Sequence, residues 1–274
     1  MRFQGILRVL QDPPLSGPEN MARDAALLEV AEVPTLRFFL WAQPTLSLGR
    51  HQRVADLDAS CIEAMGFTVV RRPTGGRAIL HGDEVTFSFF LPRGEKDYSH
   101  RFLYELVRRV LIASFEDAGI HPDEVVSSRP FLASPVCFAL SLPHEITVSG
   151  RKIAGVAQAR GWRGNLFEGS IPLTLDRWHF ARCFREKEKV YTELLEGALG
   201  LCEIRGDLSR EFLVARMVER FGELFEGVSW GGWEERELEK AGELLGEYAF
   251  SPIAGEEKIG TLQEGGLAKS RGSG

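Results

Sequence analysis

Hydrophobic and polar positions follow two different patterns along this 274-residue chain. Up to about residue 175, short runs rich in β-branched and aromatic residues alternate with amphipathic segments in which apolar residues recur every three or four positions. Beyond that point the pattern is almost wholly helical. The sequence therefore predicts an α/β body, of the α+β type, followed by a helical C-terminal appendage.

The predicted elements are bounded by turn and cap residues, such as Gly66 and Gly119 after two of the helices. Ser149 and Gly150 form the predicted turn of a hairpin. Predicted strands cover residues 6–10, 36–41, 67–71, 85–91, 145–149, 152–159 and 166–173. Predicted helices cover residues 19–30, 57–65, 99–118, 208–225 and 233–248, and residues 265–274 are expected to form a flexible tail.

Composition limits the class of protein. With 44% hydrophobic and 26% charged residues, the chain can bury a substantial core in one large domain, or in a large domain with a small appendage. No apolar run has the length of a signal peptide or a membrane span, so we expect a soluble, cytoplasmic protein without a membrane partner. The net charge of −6, with its acidic excess after residue 180, does not fit a nucleic-acid-binding domain.

A glycine-rich segment, RRPTGGRAILH at residues 71–81, lies between two predicted strands. Paired glycines let the backbone approach a ligand closely and present its N–H groups. The segment lacks the GxxxxGK[ST] pattern of a phosphate-binding loop, and no helix follows it as in a dinucleotide-binding fingerprint. From the residues alone, a ligand-binding loop and an ordinary connection with solvated arginines remain equally open.

The four cysteines lie far apart and include no CxxC pair, which argues against a zinc site or a disulfide framework. Cys137 differs from the others in its surroundings. It lies in the segment SPVCF, fifteen residues before Lys152 in the predicted hairpin HEITVSGRKIAGVAQAR. Nearby cations can lower the pKa of a thiol and make it a nucleophile. The alternative is that this cysteine is a small buried apolar residue.

Together these segments resemble a known family. RRPTGGRAILHGDEVTFSF resembles the arginine/double-glycine motif of lipoate ligases and octanoyltransferases, which belong to the biotin/lipoate protein ligase superfamily. SPVCF with GRKIAGVAQAR resembles the cysteine and lysine motifs of the Gram-positive-type octanoyl-[acyl-carrier protein]:protein N-octanoyltransferases. GPENMARDAALLE is similar to the family's first helix and SLGRHQ to its S-x-G-x-x-Q strand end. The resemblance covers about residues 6–175, in the expected order.

The resemblance implies a central mixed β-sheet with flanking helices. It places a catalytic domain at residues 1–180, a helical region packed on it at 181–264, and the tail at 265–274. Cys137 matches the family's acyl-accepting cysteine, and Lys152 matches its active-site lysine. The residues implied to bind the acyl chain are Arg72, Gly75, Gly76, His81 and Gly155.

The reaction implied by the resemblance moves an octanoyl group from octanoyl-acyl carrier protein to Cys137. The group then passes to a lysine of the glycine-cleavage H protein or another lipoyl domain, without a metal or other cofactor. Basic side chains can receive such acidic carriers, and the candidates are Arg151, Arg160 and Arg163. Arg77 stands where ligases of the family have a third glycine, which favours the transferase subgroup.

Two other functions remain open. The first is an ATP-dependent lipoate-protein ligase, in which Lys152 would hold an acyl-adenylate and Cys137 would be structural, since one fold serves both reactions. The second is a non-catalytic module that binds lipoyl domains. Biotin ligase is disfavoured because the GRGRxGR-type loop of that family is absent.

Overall fold

The structure is a computed structural model that describes residues 2–94, 98–124, 134–139 and 144–249. In these residues the strands are β1 (Ile6–Leu15), β2 (Thr35–Trp41), β3 (Thr45–Leu48), β4 (Thr68–Arg71), β5 (Ile79–His81), β6 (Glu84–Pro92), β7 (Ile146–Val148), β8 (Arg151–Arg160), β9 (Gly164–Pro172) and β10 (Gly227–Trp230). The α-helices are α1 (Gly17–Val30), α2 (Ala59–Ala64), α3 (His100–Asp117), α4 (Arg177–Arg182), α5 (Lys187–Gly197), α6 (Arg210–Gly222) and α7 (Glu235–Tyr248). Short 3-10 helices cover Cys137–Ala139 and Leu201–Glu203.

The strands form one large sheet and one small sheet. The large sheet has the order β10-β1-β2-β6-β9-β8-β7, and the small sheet has the order β4-β3-β5. In the large sheet β10, β1 and β2 are parallel, whereas every pairing from β2 to β7 is antiparallel. The predicted mixed sheet with flanking helices is therefore confirmed.

One face of the large sheet is apolar. Successive side chains of a strand point to opposite faces, so alternate residues of each strand share a face. Phe87 and Phe89 of β6 and Phe167 of β9 share this face and form the main hydrophobic core together with Phe221 of α6. Helices α3 and α6 cover the face and pack against each other. This side of the sheet stabilises the fold.

The opposite face of the same strands is rich in polar side chains. Cross-strand pairing aligns two rows across the sheet: Arg37, Ser88, Glu168 and Ala157 in one, and Phe39, Thr86, Ser170 and Gly155 in the next. Helix α1 lies over these rows, where Asp24 accepts hydrogen bonds of 2.6 Å from Arg37 and of 2.6 Å from Ser88. Buried polar groups must be hydrogen-bonded. The polar side chains of this face therefore require hydrogen-bond partners above them. Helix α1 provides some of these partners, and the small sheet and its loops provide others.

Most predicted elements agree with the structure to within a few residues, including the β7–β8 hairpin, in which Ser149 and Gly150 have φ angles of 51° and 72°. The pattern misses strands β3, β5 and β10, which have only three or four residues. Strands β4 and β7 are equally short, but the neighbouring turn residues Gly66 and Ser149-Gly150 indicate them. Helices α4 and α5 are missed as well. Strand β10 corrects the expectation of an almost wholly helical C-terminal region, since it extends the large sheet beside β1.

The C-terminal helices pack on both sides of the large sheet. Helix α6 contacts α3, and α7 contacts α1 through Ala241 and Leu244, which lie against Ala22 and Ala25. Among the described residues, no helix is long and apolar enough to span a bilayer. The predicted tail at residues 265–274 lies outside the described residues.

Candidate active site

Three segments of the sequence meet above the polar face of the large sheet. The turn that carries Cys137 runs beside the end of the glycine-rich loop, because Ala78 N–H donates to Pro135 O at 3.1 Å and Cys137 N–H donates to Ala78 O at 3.0 Å. The Gln52 amide also donates to Pro135 O, at 2.8 Å. Backbone hydrogen bonds therefore join RRPTGGRAILH to SPVCF, and the Gln52 side chain joins SLGRHQ to SPVCF.

Arg72 holds the glycine-rich loop from the inside. Its buried guanidinium donates to the backbone oxygens of Ser47 at 2.8 Å, Gly75 at 3.0 Å and Arg77 at 2.9 Å, and to the Ser47 hydroxyl at 2.7 Å. Gly76 has a φ of 94°, which favours glycine. A side chain at Gly49 would place its Cβ 2.0 Å from Gly76 O. The loop can therefore take this path only because Gly49 has no side chain.

Cys137 and Lys152, the two predicted catalytic residues, are in contact. Lys152 Nζ lies 3.3 Å from Cys137 Sγ and 2.8 Å from Glu145 Oε2, and the lysine side chain is 1% exposed. Burial alone would lower the pKa of Lys152, but the negative charges of Cys137 and Glu145 outweigh burial and hold that pKa above its ordinary value. The site therefore contains a buried ammonium group directed at the sulfur.

His81 is fixed by three neighbours in the same layer. Its Nε2 lies 2.6 Å from the Ser47 hydroxyl, its Nδ1 lies 2.5 Å from Glu84 Oε1, and its ring stacks on Trp41 with centroids 4.0 Å apart. Burial would raise the pKa of Glu84, but the charge and hydrogen bond of His81, with the hydroxyls of Ser170 and Thr86, lower it overall. Both ring nitrogens of His81 are therefore engaged, and its ring is held in place as part of the wall of an inner cavity.

Two spaces, an inner cavity and an outer cleft, share Cys137 in their linings. The inner cavity, with the solvent-open space at its mouth, has a volume of about 430 Å³ and runs from Gly155 on β8 to Phe39 and Trp41 on β2. It crosses three strand spacings, or roughly 14 Å. The outer cleft has about 1180 Å³. Residues that line both spaces are Gly76, Cys137, Val156 and Ala157. The thiol therefore lies where the two spaces meet.

The five residues implied to bind an acyl chain divide between these spaces. Arg72, Gly76, His81 and Gly155 line the inner cavity, whereas Gly75 lines only the outer cleft. A Cβ added to Gly155 would lie 3.6 Å from Cys137 Sγ, which places this position of β8 directly beside the sulfur.

A carboxyl pair next to the inner cavity was not predicted. Glu168 of β9 lines the cavity and accepts a hydrogen bond from the Thr74 hydroxyl. Burial and the neighbouring Asp24 carboxylate raise the pKa of Glu168 to about 8. As a carboxylate, its Oε1 is buried without a hydrogen-bond partner among the described residues. A proton on Glu168 removes this problem, because the carboxyl group can then donate to Asp24.

The three arginines proposed to receive a carrier protein do not form one patch. Arg151 and Arg160 occupy the two ends of strand β8, nine residues apart, and so lie about 30 Å from each other. Arg163 follows the turn after β8, stacks on Trp162 at 4.1 Å and pairs with Glu32 at 3.3 Å. Arg160 and Arg163 are therefore neighbours along the hairpin, and Arg151 lies at its other end.

Other candidate chemistry is limited in the part of the chain that the structure describes. No group of three or more His, Cys, Asp or Glu side chains there is placed to hold a metal ion. Burial raises the pKa of the Cys183 thiol to about 12, so that thiol is inert at neutral pH.

Sequence reasoning missed Ser47, Glu145 and Glu168. Each is a common polar residue, but Glu145 is the second residue of the hairpin segment HEITVSGRK, and Ser47 is the first residue of SLGRHQ. A buried lysine is expected to pair with a carboxylate, and this expectation was the one available reason to predict Glu145 as a site residue.

The fold and site together define a class of protein. Residues 16–225 match the lipoyl protein ligase A/B catalytic domain, and the chain belongs to that family. Among solved structures, lipoate-protein ligase A bound with ATP superposes with a TM-score of 0.74 at 19% identity and covers 89% of this chain and 95% of that one. A bipartite lipoate protein ligase from Thermoplasma acidophilum gives a TM-score of 0.72 at 18% identity, with 90% and 93% covered. These two likenesses establish the fold.

Within the family, the chain is similar to proteins named octanoyltransferase LipM. It is 39% identical over 215 residues to the protein of that name from Exiguobacterium sp., covering 70% of this chain and 76% of the relative. It is 34% identical over 263 residues to the one from Kyrpidia tusciae, covering 88% of this chain and 95% of the relative.

Proposed function

We propose that this protein is an octanoyltransferase of protein lipoylation and that it carries the acyl group as a thioester on Cys137. The single observation that carries the proposal is the contact between Cys137 Sγ and the buried Lys152 Nζ, 3.3 Å apart, where the inner cavity meets the outer cleft. The relatives named octanoyltransferase LipM, 32–39% identical to this chain, support the activity.

In the first half-reaction, octanoyl-acyl carrier protein places its acyl chain in the inner cavity and its thioester at Cys137. The Cys137 thiolate attacks the carbonyl carbon, a new C–S bond forms, and the carrier's thiolate leaves and takes a proton from water. The Lys152 ammonium stabilises both the attacking thiolate and the oxyanion. A single such donor contributes about 3 kcal/mol in comparable sites.

In the second half-reaction, the amine of a lysine on a lipoyl domain attacks the Cys137 thioester through the outer cleft. An amide forms, the nitrogen gives up a proton that finally passes to water, the C–S bond breaks, and Cys137 leaves as a thiolate beside Lys152. No adenylate is required, because the energy of the donor thioester is retained in the acyl-enzyme. The glycine-cleavage H protein or another lipoyl domain is the proposed acceptor.

The test follows octanoyl transfer from acyl carrier protein to a lipoyl domain, with and without ATP, together with intact mass spectrometry of the enzyme. We expect wild type to gain one octanoyl mass without ATP. We expect Cys137→Ser to lose transfer, because a hydroxyl is not ionised at neutral pH, and Lys152→Ala to lose about 10²–10³ in rate. Cys61→Ser, at a cysteine on α2, is the matched control. A wild type that requires ATP and a fully active Cys137→Ser would instead indicate the ligase.

A further inference from the structure

Glu145 occupies an unusual position at the candidate active site. It is the only carboxylate among the described residues that line the outer cleft; the other polar or charged side chains there are Arg77, Tyr104, His144 and Gln158. Its side chain is 12% exposed, so it is largely removed from water and still reachable from the cleft. One of its oxygens, Oε2, lies 2.8 Å from Lys152 Nζ.

The carboxylate lies close to the reacting sulfur. Glu145 Oε2 and Cys137 Sγ both contact Lys152 Nζ, at 2.8 and 3.3 Å, so these two atoms lie within about 6 Å of each other. An amine that attacks a carbonyl carbon bonded to Sγ approaches to about 3 Å before reaction. Because Glu145 and Cys137 line the same cleft, an amine nitrogen that enters through this cleft comes within hydrogen-bond distance of the Glu145 carboxylate.

We infer that Glu145 is a further catalytic residue, which binds the amine of the acceptor lysine and takes up its proton during the second half-reaction. This inference rests on the proposed function. The acceptor enters as an ammonium ion, is attracted by the carboxylate, and loses one proton to water. As the neutral nitrogen forms the amide bond, its second proton passes to Glu145 Oε1. The C–S bond breaks, Cys137 leaves as a thiolate, and Glu145 returns the proton to water.

Lys152 cannot serve as this base while it remains an ammonium. Buried beside Glu145, it is held in the charged form, which suits it to stabilise the thiolate and the oxyanion. Tyr104 also lines the cleft, but burial and Glu145 raise its pKa, so it stays a neutral hydroxyl. Of the described side chains that line the cleft, Glu145 is the one whose negative charge attracts a cationic acceptor.

The experiment separates the two half-reactions for wild type and Glu145→Gln. The amide keeps the shape and accepts from Lys152, but it cannot take up a proton. We expect octanoyl acyl-enzyme to form from octanoyl-acyl carrier protein at a rate within a few-fold of wild type, by mass spectrometry. Transfer from purified acyl-enzyme to a lipoyl domain should fall by about 10²–10⁴, the usual contribution of a general base.

A second nucleophile distinguishes proton transfer from a merely structural role. Hydroxylamine is a much weaker base than a lysine amine, so the nitrogen of its adduct gives up its proton to water without a general base, and it should cleave the acyl-enzymes of wild type and Glu145→Gln at similar rates. Glu145→Asp keeps a carboxylate and should recover part of the lost transfer, and Glu188→Gln, at an exposed position of α5, should match wild type.

Three outcomes would contradict the inference. They are unchanged transfer in Glu145→Gln, an equal loss of transfer and of hydroxylamine cleavage, and acyl-enzyme formation as slow as transfer. A wild type that never becomes acylated would contradict the proposed function itself. Failure of the function is therefore seen in wild type, and failure of this inference only in the Glu145 variants.

Discussion

The buried carboxyl group of Glu168 makes the stability of the protein depend on pH. Its pKa is raised to about 8 by burial and by Asp24, whereas an unfolded glutamate titrates near 4.5. Between these values the folded protein holds a proton that the unfolded chain has released. Replacing Glu168 by glutamine fixes the neutral form, since the amide can still donate to Asp24 and accept from Thr74.

The magnitude follows from linkage. In the window from about pH 5 to pH 8 the native state binds one more proton than the unfolded state, so this group makes the free energy of unfolding fall by about 1.4 kcal/mol per pH unit. The whole shift, from 4.5 to about 8, corresponds to roughly 5 kcal/mol. The stabilising contribution is complete below pH 4.5 and is lost as pH rises through about 8.

The assay is urea unfolding of wild type and Glu168→Gln at several pH values from 5 to 9. We expect the two proteins to have similar free energies of unfolding near pH 5. The variant should become progressively more stable than wild type, by several kcal/mol at pH 9. Taking the difference between the proteins cancels the titration of every other group. Parallel curves for wild type and variant across this range would refute the reasoning, because they would show that Glu168 is ionised throughout.

Two further substitutions test the architecture of the site. Gly49→Ala should cost about 1–3 kcal/mol of stability and displace the glycine-rich loop, because the added Cβ would lie 2.0 Å from Gly76 O. Thermal unfolding and octanoyl transfer measure this, and Gly242→Ala, in α7 with no atom within 4 Å of the new Cβ, is the control that should be neutral or stabilising. Arg37→Met should cost about 3–5 kcal/mol in urea unfolding, because it removes the cation that lies 2.6 Å from the buried Asp24 carboxylate, whereas Asp12 keeps its ion pair with Arg23 at 2.8 Å. A loss below 1 kcal/mol would show that water or another cation compensates the Asp24 carboxylate.

The chain pattern was sufficient for most of the longer elements, which have enough residues to show a period, although it missed the eleven-residue helix α5. Helix α3 repeats apolar residues over eighteen positions, and β6, β8 and β9 have nine or ten residues each. Strands β3, β5 and β10 have three or four residues, and their pairing with neighbours far along the chain decides their conformation. Local sequence carries little of that information, because hydrogen bonding in a sheet depends on the partner strand.

The residues of the candidate site also fall into two groups, those that the sequence predicted and those that only the structure identified. Cys137, Lys152 and the glycine-rich loop lie in segments whose residue order is distinctive, so the sequence alone singled them out. Glu145 and Glu168 acquire their properties from neighbours: one from Lys152 at 2.8 Å, the other from Asp24 on a different element. Arg151 and Arg160, close in sequence, are separated by the length of β8.

Sequence by itself determined which groups are available and in what order they occur along the chain. Tertiary structure decided which of them meet and how deeply they are buried. The physical reason is that charge interactions and desolvation depend on distance in space and on the surrounding dielectric. Both are set by the register of β2, β6, β9 and β8 and by the layer of α1 and the small sheet above them.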